Sequence, residues 1–111
     1  MSRPNVTITD NPDESRLEAL LDDGTVAGIA EYKKRGSSTY SFTHTEVDDE
    51  FEGQGIGGTL MRGVIDFARK NEVKVLPSCE FLRSYMREHE DTHDVLAKGA
   101  DLDDDPEERA S

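Results

Sequence analysis

Hydrophobic residues follow two different spacings in the two halves of the chain. The first half contains four short runs that are predicted to be strands. Three of them are rich in β-branched and aromatic residues. The run RLEALL is ambiguous on periodicity alone and is assigned to a strand because the hairpin-type turn Asp22-Asp23-Gly24 follows it. The four runs cover residues 5–10, 16–21, 25–33 and 39–47. Segments rich in Asp, Asn, Gly, Ser and Pro separate them, and such segments favour turns. The pattern predicts an antiparallel meander of four strands, with Val26, Ile29 and Tyr32 as packing residues of the third.

The second half has helical spacing. An amphipathic helix is predicted over residues 57–71, because its apolar residues recur every three or four positions. They are Leu60, Met61, Val64, Ile65 and Ala68. Residues 73–76 predict a fifth strand, which follows the helix as in a strand–helix–strand unit. Together these elements predict an α/β (α+β) fold with a mixed, mostly antiparallel sheet of five strands.

A second helix is predicted at the C-terminal side, over residues 79–89. Pro77 is expected to end the fifth strand, and Ser78 is expected to cap the helix. The inner face should carry Phe81, Leu82, Tyr85 and Met86. The folded domain is expected to span residues 5–97. Residues 98–111 are acidic, contain a proline and lack an apolar face, so they are predicted to be a disordered tail.

The acidic charge balance of the chain limits the classes of partner that it is expected to bind. The chain has 25 Asp and Glu against 13 Lys and Arg, a formal net charge of −12. Binding to nucleic acid is not expected, because neutralising phosphates requires clustered Lys and Arg. The acidity fits either a surface that recruits cationic amines or adaptation to a salt-rich cytosol. Its spread along the whole chain favours the halophilic interpretation.

The absence of certain sequence features restricts the expected cellular location and the kinds of metal site. No run approaches the ~20 apolar residues of a membrane-spanning helix. The N-terminus lacks the apolar segment of a signal peptide. We therefore expect a cytoplasmic protein that does not bind membranes. The chain has one cysteine, Cys79, which excludes an internal disulfide framework and a zinc site built on paired cysteines, and no metal is expected.

The strongest chemical signal is the segment EGQGIGGT at residues 52–59, just before the central helix. Its glycines remove side chains where a ligand must approach the backbone. The first amides of the helix, with the helix dipole, would face an anion. A nucleoside-triphosphate loop would require Gly-Lys-Ser/Thr, and a dinucleotide fold would place the glycines after the first strand. The context fits neither of those phosphate sites.

Three motifs occur in order along the chain. They are His44-Thr45-Glu46-Val47 in the fourth strand, Gly53-Gln54-Gly55-Ile56 in the loop and Pro77-Ser78-Cys79 before the second helix. With the layout of the elements, they resemble the GNAT superfamily of N-acetyltransferases, and most closely its minimal single-domain subfamily. The resemblance covers roughly residues 5–97 and implies the acyl-CoA N-acyltransferase fold. In register, Glu52 occupies a position where the superfamily usually has Gln or Arg.

The resemblance also implies where acetyl-CoA would bind. The coenzyme would lie between the fourth and fifth strands. Pantetheine would contact the backbone of Thr45, Glu46 and Val47. The pyrophosphate would be held by Gln54, Gly55, Ile56, Gly57, Gly58 and Thr59. Carboxylates close to a pyrophosphate are unfavourable, and the high salt of a halophilic cell would screen them.

Candidate catalytic groups follow from position and chemistry. His44 lies near the expected acetyl end of the coenzyme and is the first choice for the base that accepts the amine proton. Glu46 is the alternative base. Cys79 is placed at the start of a helix, which favours a thiolate. It would form an acetyl intermediate, protonate the leaving thiolate, or only line the pocket. Tyr85 is expected to pack in the core.

The predicted activity is acetyl transfer from acetyl-CoA to an amine, which makes the chain an acyltransferase. A backbone N–H of the fourth strand would stabilise the oxyanion. The acceptor, a small molecule or a protein amine, stays open, as does the oligomeric state. The alternative is a module that binds CoA or acyl-CoA without catalysis.

Overall fold

The elements follow one another in the order that the hydrophobic pattern predicts. The computed structural model describes residues 6–51, 53 and 55–100. The strands are β1 (Thr7–Asn11), β2 (Arg16–Leu20), β3 (Val26–Arg35), β4 (Thr39–Val47) and β5 (Lys74–Pro77). The helices are α1 (Ile56–Asn71) and α2 (Glu80–Glu88), and short 3-10 helices cover Asp49–Phe51 and Glu90–Val95. The predicted tail falls almost entirely outside the described residues.

One sheet organises the molecule, with the strands side by side in chain order. The three pairs from β1 to β4 are antiparallel, whereas β4 and β5 are parallel. Parallel neighbours require a crossover, and α1 supplies it. The predicted mixed, mostly antiparallel sheet of five strands is confirmed.

Helix α1 covers one face of the sheet and contains the largest share of the core. All five apolar residues that defined its predicted stripe are fully buried. The helix ends at Glu72, a left-handed residue whose N–H donates to the carbonyls of Ala68 and Arg69. Burial of one apolar face, rather than intrinsic helix propensity, accounts for most of the stability of such a helix.

The packing of β3 differs in part from the sequence prediction. Tyr32 is buried, as expected, and its ring contacts those of Tyr40, Phe42 and Phe67. Val26 was predicted to pack inward and is 37% exposed, because it begins the strand next to the hairpin turn. Residues three apart on a strand point to opposite faces, so a 26–29–32 spacing cannot form one inner row.

Strand β4 carries a bulge. Tyr32 of β3 pairs with Phe42, whereas the preceding Glu31 pairs with His44, so Thr43 is an extra residue on β4. Such an insertion reverses which side of the strand each later residue faces. Within the described residues, the parallel pairing with β5 covers residues 39–42 and stops at the bulge.

The segment between β5 and α2 is hydrogen-bonded to β4. The Phe42 carbonyl accepts hydrogen bonds from the N–H groups of Ser78 and Cys79, both at 3.0 Å. The N-terminal cap of α2 is Cys79, so the predicted capping role of Ser78 is wrong. The Ser78 hydroxyl instead lies 2.8 Å from the hydroxyl of Ser41. Pro77 is the last residue of β5, whose outer edge does not require its missing N–H.

Candidate functional site

A cleft opens where β4 and β5 separate. Its volume is about 460 Å³. The walls come from the end of β4, the glycine loop, the start of α1 and the first turn of α2. The lining residues are Thr45, Glu46, Val47, Asp49, Phe51, Gly53, Gly55, Ile56, Gly57 and Phe81. The glycine loop and the end of the fourth strand, which the sequence assigned to one ligand, therefore face the same space.

The backbone of β4 presents hydrogen-bonding groups to this cleft. Beyond the bulge, the N–H of Asp48 donates to the carbonyl of Ala27 on β3 at 2.9 Å. Residues of an antiparallel strand alternate between facing their partner and facing away. The register therefore turns the backbone of His44 and Glu46 toward β3. The N–H and C=O groups of Thr45 and Val47 are directed to the side from which β5 has departed.

The side chains of the same segment divide between two faces. Thr45 points toward α2, and its hydroxyl shares a 3.2 Å hydrogen bond with the Cys79 thiol. His44 and Glu46 point to the opposite, uncovered face of the sheet. The His44 Nε2 lies 3.7 Å from a Glu46 carboxylate oxygen, and the two side chains are 55% and 67% exposed. The structure thus pairs His44 with Glu46 and Cys79 with Thr45.

The glycine loop leaves the start of α1 open. Gly53 and Gly55 both have φ +80, a conformation that side chains disfavour. Gly55 caps α1 without a side-chain hydrogen bond. The N–H groups of residues 56–58 are the first of the helix and have no acceptor within it. They point out of the helix end at which an anion is electrostatically favoured.

The other residues predicted to hold a pyrophosphate are placed as follows. The Ile56 side chain is buried in the core, so only its backbone is available to a ligand. The Thr59 hydroxyl donates to the Gly55 carbonyl at 3.0 Å, which closes the first turn of the helix. Gly58 is exposed on that turn. Gln54 and Glu52 lie outside the described residues, and their predicted proximity to the ligand stays a prediction.

Phe81 occupies a position that the sequence did not reveal. It was predicted to be a core residue, but it is 46% exposed and forms part of the cleft wall. Its neighbour Leu82 is fully buried, as predicted. A Cβ atom added to Gly57 would lie 2.5 Å from the Phe81 Cζ, so the ring is seated directly on that glycine. Helical spacing gave no signal for this, since residues 81 and 82 belong to one broad apolar stripe.

Tyr85 lies away from the cleft lining. It is partly buried against the core, as predicted, and its ring stacks on His89 with centroids 4.0 Å apart. On the same side of the molecule, the Asp91 carboxylate and then the Tyr85 hydroxyl hold the pKa of Arg62 above its ordinary value through hydrogen bonds. Tyr85 therefore takes part in the contact between the two helices.

The charges at the cleft are acidic. Asp49 lines it, Glu46 borders it with its carboxylate beside His44, and its described lining includes neither Lys nor Arg. Over the described part of the chain, no group of three or more His, Cys, Asp or Glu residues has a geometry that would hold a metal ion. No helix in the same residues is long and apolar enough to cross a membrane.

Comparison with known proteins matches this geometry to a family. The sequence model of the GCN5-related N-acetyl-transferase family matches residues 16–95. The chain belongs to the GCN5-related N-acetyltransferase family. The match runs from β2 to the second 3-10 helix and includes both walls of the cleft.

Individual relatives agree with the family assignment. Protein NATD1 of Xenopus tropicalis is 33% identical over 58 residues, which are 52% of this chain and 53% of that protein. Protein NATD1 of Homo sapiens is 29% identical over 58 residues, 52% of this chain and 51% of that protein. The chain thus spans about half the length of the curated relatives it matches.

A solved structure extends the likeness to the whole fold. The solution structure of a GCN5-like protein from Staphylococcus aureus superposes with a TM-score of 0.62 and 25% sequence identity. The superposition covers 87% of this chain and 91% of that one. The acyl-CoA N-acyltransferase fold that the three motifs implied is therefore confirmed.

Proposed function

We propose that this chain is an acetyl-CoA-dependent N-acetyltransferase. The observation that carries the proposal is the meeting, in one cleft, of the β4 backbone beyond the end of its pairing with β5 and the N-terminal amides of α1. A pantetheine arm contains amides, which can pair with the N–H and C=O groups of Thr45 and Val47 as an added strand would. A diphosphate suits the amides of residues 56–58, which have no acceptor within the helix. The two features lie in the order in which the coenzyme presents these groups.

The acceptor amine is proposed to approach from the uncovered face of β4. His44 is the proposed base, because its exposed imidazole lies on the segment that would hold the acetyl group. Glu46 is the alternative base on the same face. The acceptor is either a small molecule or a protein amine. The net charge of −12 favours an acceptor that is positively charged.

Cys79 is proposed to act on the opposite side of the strand. Its thiol is held by Thr45 at the point where β4 and β5 separate, where the thiol end of the coenzyme would lie. There it would take up the acetyl group, protonate the leaving thiolate or line the wall. Mass spectrometry of wild type and Cys79→Ala after exposure to labelled acetyl-CoA separates these roles. An acetyl group on Cys79 would identify a covalent intermediate. An unchanged rate of acetyl transfer in Cys79→Ala would mean that Cys79 only lines the cleft.

The proposal is tested by turnover. Wild-type protein should release CoA from acetyl-CoA in the presence of at least one member of a panel of small amines and lysine-containing peptides. The panel should be run at low and at molar KCl, because the acidic composition also leads us to propose a salt-rich cytoplasm as its working environment. Release of CoA without any acetylated amine at either salt concentration would contradict the assignment.

A non-catalytic module that binds CoA or acyl-CoA is the second candidate. It is favoured by the separation of His44 and Cys79 onto opposite faces of β4, which leaves no preformed pair of base and thiol. Calorimetry together with the turnover assay distinguishes the candidates. A module should bind CoA tightly and acetylate no amine, whereas the enzyme should do both.

A further inference from the structure

An aromatic ring stands between the two ends of the cleft. Phe81 follows Cys79 by two residues on the first turn of α2, and its ring rests on Gly57 at the start of α1. Cys79 marks the place proposed for the thiol of the coenzyme, and Gly57 marks the place proposed for its diphosphate. A chain that joins those two groups must pass beside Phe81, whose side chain is 46% exposed to the cleft.

Charged side chains of the described lining do not supply the affinity at this cleft. CoA is a polyanion, the chain carries a net charge of −12, and Asp49 lies on the cleft wall. Along the described lining no Lys or Arg offsets this negative charge. The long-range interaction is therefore repulsive at low salt. Binding must then depend on uncharged backbone amides and on apolar contact with an uncharged part of CoA, and the pantetheine arm is the uncharged part proposed to lie in this cleft.

Resting on the proposed function, we propose that Phe81 is the positioning residue for the pantetheine arm. Its ring, seated on Gly57, forms an apolar wall that the arm covers on binding. Aromatic rings contribute large apolar contact areas at little cost in side-chain entropy. Gly57 is then required twice, for the open amide at the helix start and for the space in which the ring lies.

Calorimetry with two probes tests this assignment. CoA contains the arm, whereas adenosine 3′,5′-bisphosphate lacks it and is measured by competition against CoA. Phe81→Ala should raise the Kd of CoA at least about tenfold, and should leave the Kd of the bisphosphate unchanged. A bisphosphate that does not compete at all supports the same assignment, because the arm then carries the binding. Equal losses for both probes, or no loss for CoA, would overturn it.

Two control variants test whether the loss of CoA affinity is specific to the Phe81 side chain. Val26→Ala removes an exposed apolar side chain outside the cleft lining and should leave the Kd of CoA unchanged. Phe81→Leu keeps an apolar wall and should recover most of the affinity that Phe81→Ala loses. Far-UV circular dichroism establishes that each variant is folded.

A double-mutant cycle tests the seat of the ring. Gly57→Ala should displace the Phe81 ring and weaken CoA binding several-fold in the wild-type background. If the effect acts through the ring, it should be much smaller in Phe81→Ala. Strict additivity would mean that the new methyl group blocks the ligand directly and that the ring has no positioning role.

Salt dependence separates this inference from the proposed function. Raising KCl from about 0.1 M to 1 M shortens the Debye length from roughly 10 Å to 3 Å, so the Kd of CoA should fall. A Kd that rises with salt would indicate cationic recognition and overturn the inference. No heat from CoA with wild-type protein at any salt concentration would refute the proposed function itself. Tight CoA binding that Phe81→Ala leaves intact would refute only the inference.

Discussion

The two halves of β4 belong to one strand and use their backbone differently. Residues 39–42 pair with β3 on one side and with β5 on the other, and Ser41 and Phe42 are each 1% exposed. Beyond the bulge residue Thr43, residues 44–47 pair with β3 and, among the described strands, not with β5, and most side chains of residues 43–47 are accessible. The first half thus joins the parallel and antiparallel parts of the sheet, whereas the second half leaves main-chain groups available to a ligand.

The bulge at Thr43 thus separates the residues of β4 that stabilise the fold from the residues that are proposed to bind the ligand and react. Mutations before Thr43 should therefore act on folding, and mutations after it should act on binding or turnover. Four substitutions, with progressively smaller effects, test that division.

Phe42→Ala should break the paired half. The ring is fully buried and contacts the ring of Tyr32. Replacing a buried Phe by Ala costs about 3–5 kcal/mol, which is a large share of the roughly 5–15 kcal/mol of a typical domain. Urea denaturation should show a much lower midpoint or a largely unfolded protein. Thr43→Ala, one residue further on and exposed, should cost less than about 1 kcal/mol.

His44→Gln should impair turnover without impairing the fold. Removing a general base costs roughly 10²-fold or more in rate, so we expect about a 100-fold lower kcat with an unchanged urea midpoint. Glu46→Gln is the matched variant on the same face. If Glu46→Gln loses as much kcat and His44→Gln little, the base is Glu46. A large loss of stability in either variant would contradict the division at Thr43.

Tyr32→Phe should reduce the pH dependence of the unfolding free energy, which Tyr32 contributes from its position on β3 opposite Phe42. Burial, and then the 2.7 Å hydrogen bond to Asp10, raise the pKa of Tyr32 above its ordinary value. The stabilisation is therefore fully present below the ordinary tyrosine pKa of about 10 and is lost as pH rises through the higher folded-state value. The variant should lose about 1–2 kcal/mol at pH 7, and its unfolding free energy should fall less steeply above about pH 10. Parallel curves for both proteins would argue against this role.

Ser41→Ala should have the smallest effect. It removes the hydroxyl pair with Ser78 that links β4 to the segment after β5. Loss of one such hydrogen bond costs about 1 kcal/mol, measurable as a small shift of the urea midpoint. Ser37→Ala, in the exposed turn before β4, is the control and should leave the midpoint in place. Equal midpoints for the two variants would mean that the pair does not hold the strands.

Much of the architecture could be predicted from the sequence, because it depends on local spacing. Strand β4 was predicted with its observed bounds, since its β-branched and aromatic residues form one uninterrupted run. The stripe on α1 identified the centre of the core for a similar reason, because every member faces the sheet. The Asp22-Asp23-Gly24 turn was also placed correctly, with Gly24 in the left-handed conformation that such a turn uses.

The rest depends on contacts between distant segments. Thr43 has no local property that marks a bulge, since the insertion exists only relative to β3. Phe81 and Leu82 are alike in sequence, and the close approach of Gly57 decides which of them borders the cleft. Ser78 has the chemistry of a helix cap, but its hydroxyl is used by Ser41 across the sheet. The division of His44 and Cys79 between two faces follows from the same long-range register.

The bulge at Thr43 also limits how this strand can change. Every residue after it is assigned to the cleft or to the open face by counting from that position, so the assignment is a matter of parity rather than of residue type. Substitutions in the second half alter one face at a time and leave the other intact. Deleting Thr43 would remove the bulge and leave each later residue opposite its present partner on β3, whereas deleting one residue beyond it, such as Thr45, would exchange the faces of the residues that follow. Replacing side chains in residues 44–47 could therefore adapt the proposed site to new acceptors. A change of length in the same residues would separate the backbone proposed to bind the ligand from the side chains proposed to react.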